Sequence, residues 1–186
     1  MGCKLSKLAS STTQNQSGRD SPPPPAATDP RLPLSARQKY TIIASWKAVA
    51  RSMETTGVYM FIKLFENNAE LLDMFKNFKH LKTKDEQATS TELADHAVKV
   101  MTTLDEGIKG LDDMDVFLSY LHQVGASHRR IPDFKRQYFW NIESPFLEAV
   151  KRTLDDRYTE NVENIYKLTI KFIIQTLIDG YDNAAL

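Results

Sequence analysis

Residues 93–108, LADHAVKVMTTLDEGI, decide the fold class. Leu93, His96, Ala97, Val100, Met101, Leu104 and Ile108 recur there at steps of three and four. That spacing puts all seven on one face of an α-helix. A second stripe follows with the same period: Phe117, Leu121, Val124 and His128. Each stripe carries one histidine where packing alone asks for an apolar side chain.

The same period extends outward in both directions. Ser35-Ala36-Arg37-Gln38 has the form of a capping box, and Ile42, Ile43, Trp46 and Val49 follow at helical spacing. Val58, Phe61, Ile62 and Phe65 mark a second helix, and Glu70 to Phe75 a short third element after the Asn67-Asn68 turn. Lys76 to about Ala88 reads as a polar loop. Thr89-x-x-Glu92 reads as a second capping box, and Asp112 or Asp113 as the cap of the helix that carries Phe117. Beyond the break at Pro132-Asp133, Phe134, Tyr138, Ile142, Phe146, Val150 and Leu154 recur at steps of four. They predict one helix kinked at Pro145, which lacks an amide donor. A last helix, about Thr159 to Asp179, carries Val162, Ile165, Tyr166, Thr169, Phe172, Ile173 and Leu177. No segment alternates with period two. The expected class is all-α, with six or seven helices.

Composition bounds what such a chain does. Its 186 residues carry 24 basic and 24 acidic side chains, so the net charge is zero. Zero net charge gives no global attraction to nucleic acid, and the short Arg129-Arg130 cluster is no basic patch. One cysteine, Cys3, rules out an intrachain disulfide and any multi-cysteine zinc or iron–sulfur site. No apolar run approaches the ~20 residues that a membrane-spanning helix needs. Six of the eight prolines precede residue 34, and residues 9–29 contain no Ile, Leu, Val, Phe, Tyr or Trp. Residues 1–34 therefore read as a flexible arm, 35–181 as the helical domain and 182–186 as a short tail. The arm starts Met1-Gly2-Cys3-Lys4-Leu5-Ser6, which fits the myristoylation pattern at Gly2, with Cys3 beside it as a palmitate acceptor.

The chemistry rests on the histidines. His80 lies in a lysine-rich stretch and His122 off its stripe, so both read as solvated. A lone histidine on an apolar face is usually a hydrogen-bonded core residue. Two on successive faces, His96 and His128, suit a metal centre better. Neutral imidazole is a good iron ligand and a usual axial ligand of haem. Zinc asks for three or four ligands, and no third one joins the pair. A flat macrocycle between two helices needs only these two, plus aromatic and aliphatic walls, for which Phe61, Phe75, Phe78, Val100, Val124 and Phe134 are candidates. No nucleophile elbow, phosphate-cradling glycine loop or HExxH motif occurs, so no catalytic residues are assigned.

These residues resemble the globin family over about Ser35 to Tyr181. Trp46 matches the tryptophan of the first globin helix, and Phe75 the phenylalanine that stacks on haem. His96 falls at the distal position with Val100 one turn on, and His128 falls at the proximal position. Ala69 stands where many globins have proline. The resemblance implies the globin fold, helices packed three-over-three around a haem b (iron protoporphyrin IX). It implies His96 and His128 as metal ligands, Lys99 toward a haem propionate, and O2, CO and NO as ligands. The chain looks most similar to the neuroglobin-like group, in which the distal histidine itself binds iron, and to the membrane-associated globin X.

The resulting expectation is a monomeric haem protein held by acyl groups on Gly2 and Cys3 at the cytoplasmic face of the plasma membrane. Diatomic ligands compete there with the distal histidine. Its work lies in redox, electron transfer with a partner protein, or gas sensing, with nitrite reductase and nitric oxide dioxygenase as side activities. The alternative class is an acylated helical adaptor without cofactor.

Overall fold

The computed structural model describes residues 28–184. The proline run, Gly2 and Cys3 lie outside the described residues. Seven α-helices carry the fold: α1 (Ala36–Ala50), α2 (Met53–Asn67), α3 (Lys84–Thr89), α4 (Thr91–Lys109), α5 (Met114–Ser127), α6 (Glu143–Leu154) and α7 (Glu160–Asn183). Short 3-10 turns join them, at Ala69–Met74, Gly110–Asp112, His128–Arg130, Arg136–Ile142 and Asp155–Arg157. No strand occurs among the described residues. In the three-over-three arrangement α1, α4 and α5 form one layer and α2, α6 and α7 the other. The principal crossings between the layers are α2 on α4 and α5 on α7. No described helix is long and apolar enough to cross a membrane.

Local chemistry sets most helix starts. The Ser35 hydroxyl accepts from the Gln38 amide, and Gln38 Oε1 accepts from the Ser35 amide at 2.9 Å, so the capping box at α1 is complete. Asp113, rather than Asp112, caps α5 by accepting from the amides of Asp115 and Val116. Asp112 instead pairs with Lys39. Trp46 ties the first helix to the fourth: its indole N–H donates to buried Asp105 at 2.8 Å, and Lys109 neutralises that carboxylate. The expected stripes face one core. Leu93, Ala97, Met101, Phe117, Leu121, Ile165, Tyr166 and Ile173 are all buried there. Each large apolar side chain so buried contributes about 1.5–3 kcal/mol.

Several expectations need correction. The loop from Lys76 to Ala88 contains α3, started by a capping box between Thr83 and Glu86. Ser90, not Thr89, then caps α4, because α3 takes Thr89 into its own last turn. The long helix from Phe134 to Leu154 is two elements, a 3-10 turn ending at Ile142 and then α6. Pro145 is the third residue of α6, where an amide has no intrahelical acceptor anyway, so it kinks nothing. The globule also starts before Ser35. Leu32 and Leu34 are buried, and Arg31 pairs with Asp29 and with Asp115 in the first turn of α5. At the other end α7 runs on to Asn183, through the start of the expected tail.

Candidate functional site

A cavity of about 500 Å³ opens between α4 and α5, with apolar side chains over most of its wall. All nine domain residues singled out in the sequence line it: Phe61, Phe75, Phe78, His96, Lys99, Val100, Val124, His128 and Phe134. His80 and His122 are exposed and lie away from it. The cavity volume falls in the range of small-molecule and cofactor sites.

The His128 side is built by the end of α5. The His128 amide turns to the carbonyls of Gly125 and Ala126, which frees the Val124 carbonyl for side chains. The Val124 oxygen lies 2.8 Å from His128 Nδ1 and also accepts from the Ser127 hydroxyl at 2.6 Å. As a carbonyl it only accepts, so Nδ1 carries the proton and Nε2 keeps a free lone pair. Phe134 and Phe139 tilt against the ring at centroid distances of 5.1 and 4.8 Å. Gly125 brings α5 onto α7. A Cβ there would sit 1.9 Å from the Leu177 carbonyl oxygen, so no larger residue allows this approach.

The His96 side is built by α4 against α2. Gly57 lets the two helices close, since a Cβ there would meet Met101 at 2.8 Å and Ala97 at 3.1 Å. The His96 ring stands edge-on to Phe61 and Phe75, at 5.1 and 5.2 Å, and tilted to Phe78 at 5.6 Å. No group hydrogen-bonds this ring among the described residues. Phe75 stacks on Phe78 at 5.0 Å, which closes the aromatic wall. Val100 lines the cavity one turn beyond His96, and Val124 one turn before His128. Lys99 is exposed at the rim.

Burial pushes the pKa of both imidazoles below the ordinary 6.5. For His96 the positive charge of Lys99 adds to that effect. For His128 the Val124 carbonyl opposes it in part. Both rings are therefore neutral at pH 7, the form that ligates metal. This donor set fits a haem: two neutral imidazoles, an apolar cavity between them, and one ring already oriented by its other nitrogen. It does not fit a structural zinc site, because no group of three or more His, Cys, Asp or Glu converges among the described residues.

Tyr138, Phe139, Ile131 and Ile142 also line the cavity and were not expected there. Phe139 and Ile142 reach it together because Arg136–Ile142 is a 3-10 turn, with about three residues per turn, so 139 and 142 share a face. A reading at steps of four separates those two residues.

The globin family model matches residues 58–177. Neuroglobin from Dissostichus mawsoni is 25% identical over 148 residues, covering 80% of this chain and 92% of that protein. Cytoglobin-1 from Oryzias latipes is 27% identical over 134 residues, covering 72% and 76%. The crystal structure of a hexacoordinated haem protein from an anhydrobiotic tardigrade superposes with a TM-score of 0.81 at 35% identity. It covers 84% of this chain and all of that one.

Proposed function

The chain belongs to the globin family, and we propose that it holds one haem b between His128 and His96, with both imidazoles on the iron in the resting state. The observation that carries this reading is the pair of neutral, half-buried histidines lining one apolar cavity. The bound group supplies redox and diatomic-ligand chemistry at its iron. The chain does the rest. His128 offers Nε2 while the Val124 carbonyl fixes its ring. Phe75, Phe78 and Phe61 wall the cavity, and Val100 and Val124 narrow it beside each histidine. Lys99, exposed at the rim, would meet an anionic edge of the haem. His96, which has no hydrogen bond to the described residues, would be the ligand that gives way to O2, CO or NO.

Competition by His96 lowers the apparent affinity for an external ligand by the fraction of molecules that are open. Such a site suits redox turnover, electron exchange with a partner protein or gas sensing better than bulk oxygen carriage. Nitrite reduction and nitric oxide dioxygenation belong to the same chemistry. We propose further that acyl groups on Gly2 and Cys3 hold the protein at the cytoplasmic face of the plasma membrane. One myristoyl chain binds only marginally, so both sites are needed for stable retention.

Absorption spectra of the ferric and ferrous protein, with and without carbon monoxide, test the haem reading. A low-spin six-coordinate spectrum that carbon monoxide converts is expected, and a colourless protein would leave the adaptor reading. Fractionation of Gly2→Ala and Cys3→Ser in vertebrate cells tests the tether. Release of the first and weak retention of the second are expected, whereas full retention of Gly2→Ala would end the anchor model.

A further inference from the structure

The cavity mouth is basic although the chain has no net charge. Lys76 and Lys99 line the opening, both exposed, and neither joins an ion pair among the described residues. The turn between α5 and α6, residues 129–140, reads RRIPDFKRQYFW and forms the adjoining lip. Arg129 is committed inward, donating to the Tyr181 carbonyl at 3.0 Å and lying over the Tyr181 ring. Arg136 is committed to Asp182. Arg130 and Lys135 are exposed and without an ion-pair partner among the described residues, and Asp133 is the one acid of the segment. The same corner shows two large apolar side chains to solvent, Ile131 at 36% and Trp140 at 38% exposure. Trp140 points outward because its neighbours on the tight turn, Phe139 and Ile142, face the cavity. The other tryptophan, Trp46, is buried.

We propose that this corner, with Arg130, Lys135, Ile131 and Trp140, is a contact surface for an anionic phospholipid bilayer that lays the cavity mouth against the headgroups. Lysine and arginine close to such a surface are attracted by its negative potential. Tryptophan settles at the boundary between headgroups and acyl chains. An acidic protein would be met by the cations alone. The exposed Trp140 and Ile131 among them favour a surface that is charged outside and apolar just beneath. The contact adds to the acyl tether proposed above and does not depend on it. It is also compatible with that tether. Thr28 lies 26 peptide steps from Gly2, enough to span at most about 90 Å. The 14 residues of α5, between the Arg31 docking point and the mouth, cover only about 21 Å.

The test uses the full-length, haem-loaded protein carrying Gly2→Ala, so that acylation plays no part. It is sedimented with phosphatidylcholine vesicles, with and without phosphatidylserine. Binding only to the phosphatidylserine vesicles, abolished by high salt, is expected. Arg130→Glu/Lys135→Glu should lower partitioning by tenfold or more, roughly what reversing two cations near a charged surface removes. Trp140→Ser should lower it severalfold with no change in charge. Lys47→Glu/Arg51→Glu, the same charge change on α1 and its C-cap, should bind as the parent does. An unchanged haem spectrum and thermal midpoint identify variants that are folded. Absence of binding to phosphatidylserine vesicles, or equal loss in the α1 pair, would overturn the proposal. So would capture by soluble polyglutamate with no vesicle binding, which would make this an acidic-protein surface. Acylated wild type on pure phosphatidylcholine reports the tether separately.

Discussion

His128 Nδ1 lies 2.8 Å from the carbonyl oxygen of Val124, one turn back on the same helix. That bond fixes the ring plane, sets the tautomer and raises the basicity of Nε2. His96 has no equivalent among the described residues. The cavity is therefore asymmetric, with one imidazole held by a hydrogen bond and the other held only by packing against Phe61, Phe75 and Phe78. His128→Gly should lose most of its haem, and added imidazole should restore a six-coordinate spectrum by entering the vacated space. Stoichiometric haem in the variant without imidazole would remove His128 from the metal.

His96→Leu tests the other side. The spectrum should become five-coordinate and carbon monoxide should bind faster. If about one molecule in a hundred is open in the wild type, its apparent affinity should rise about a hundredfold in the variant. Flash photolysis measures both. An unchanged low-spin spectrum would show that another group completes the coordination.

Gly125→Ala tests the frame behind His128. The added methyl would sit 1.9 Å from the Leu177 carbonyl oxygen, so α5 and α7 must part. Overpacking of this kind costs about 1–3 kcal/mol, read as a lower thermal midpoint. Haem should also dissociate faster, because His128 follows directly on the last turn of α5. Unchanged values of both would mean that the crossing gives way at no cost.

Tyr166 lowers stability at alkaline pH. Burial pushes Tyr166 up to about 12, against a smaller opposing effect of its hydrogen bond with Ser45. The unfolded phenol ionises near 10. Between these values the folded chain keeps a proton that the unfolded chain has lost. The stability this group contributes is thus whole below pH 10 and is lost as pH rises toward 12. Tyr166→Phe should flatten the fall of the urea midpoint over that window. Absorbance titration of the phenolates should show Tyr166 ionising late.

Tyr158 makes a complementary case. Its hydroxyl is buried and has no hydrogen-bond partner. Tyr158→Phe removes an unsatisfied polar atom and should raise stability by about 1 kcal/mol in chemical denaturation. A loss of that size would reveal a partner for the hydroxyl.

The stripes were legible because each buried face repeats at a strict helical period. His96 and His128 stood out for the same reason: a polar ring interrupts an otherwise apolar series. Gly57 and Gly125 were not legible. A glycine in a helix shows its purpose only when the facing helix is known, and Met101 and Leu177 are distant in sequence. The Thr83–Glu86 box was passed over because the residues behind it, Lys84 to Thr89, offer no apolar stripe. Phe139 was missed because a period of four was imposed on a 3-10 turn. Leu32 and Leu34 were assigned to the arm because their neighbours are prolines, yet two leucines suffice to seat seven residues on the globule.

That seating decides where mechanical load enters the molecule. A pull on the amino-terminal chain reaches Arg31 before it reaches α1. Arg31 pairs with Asp115, in the opening turn of the helix whose C-cap is His128. Tension on that chain therefore acts on the start of α5 as well as on α1.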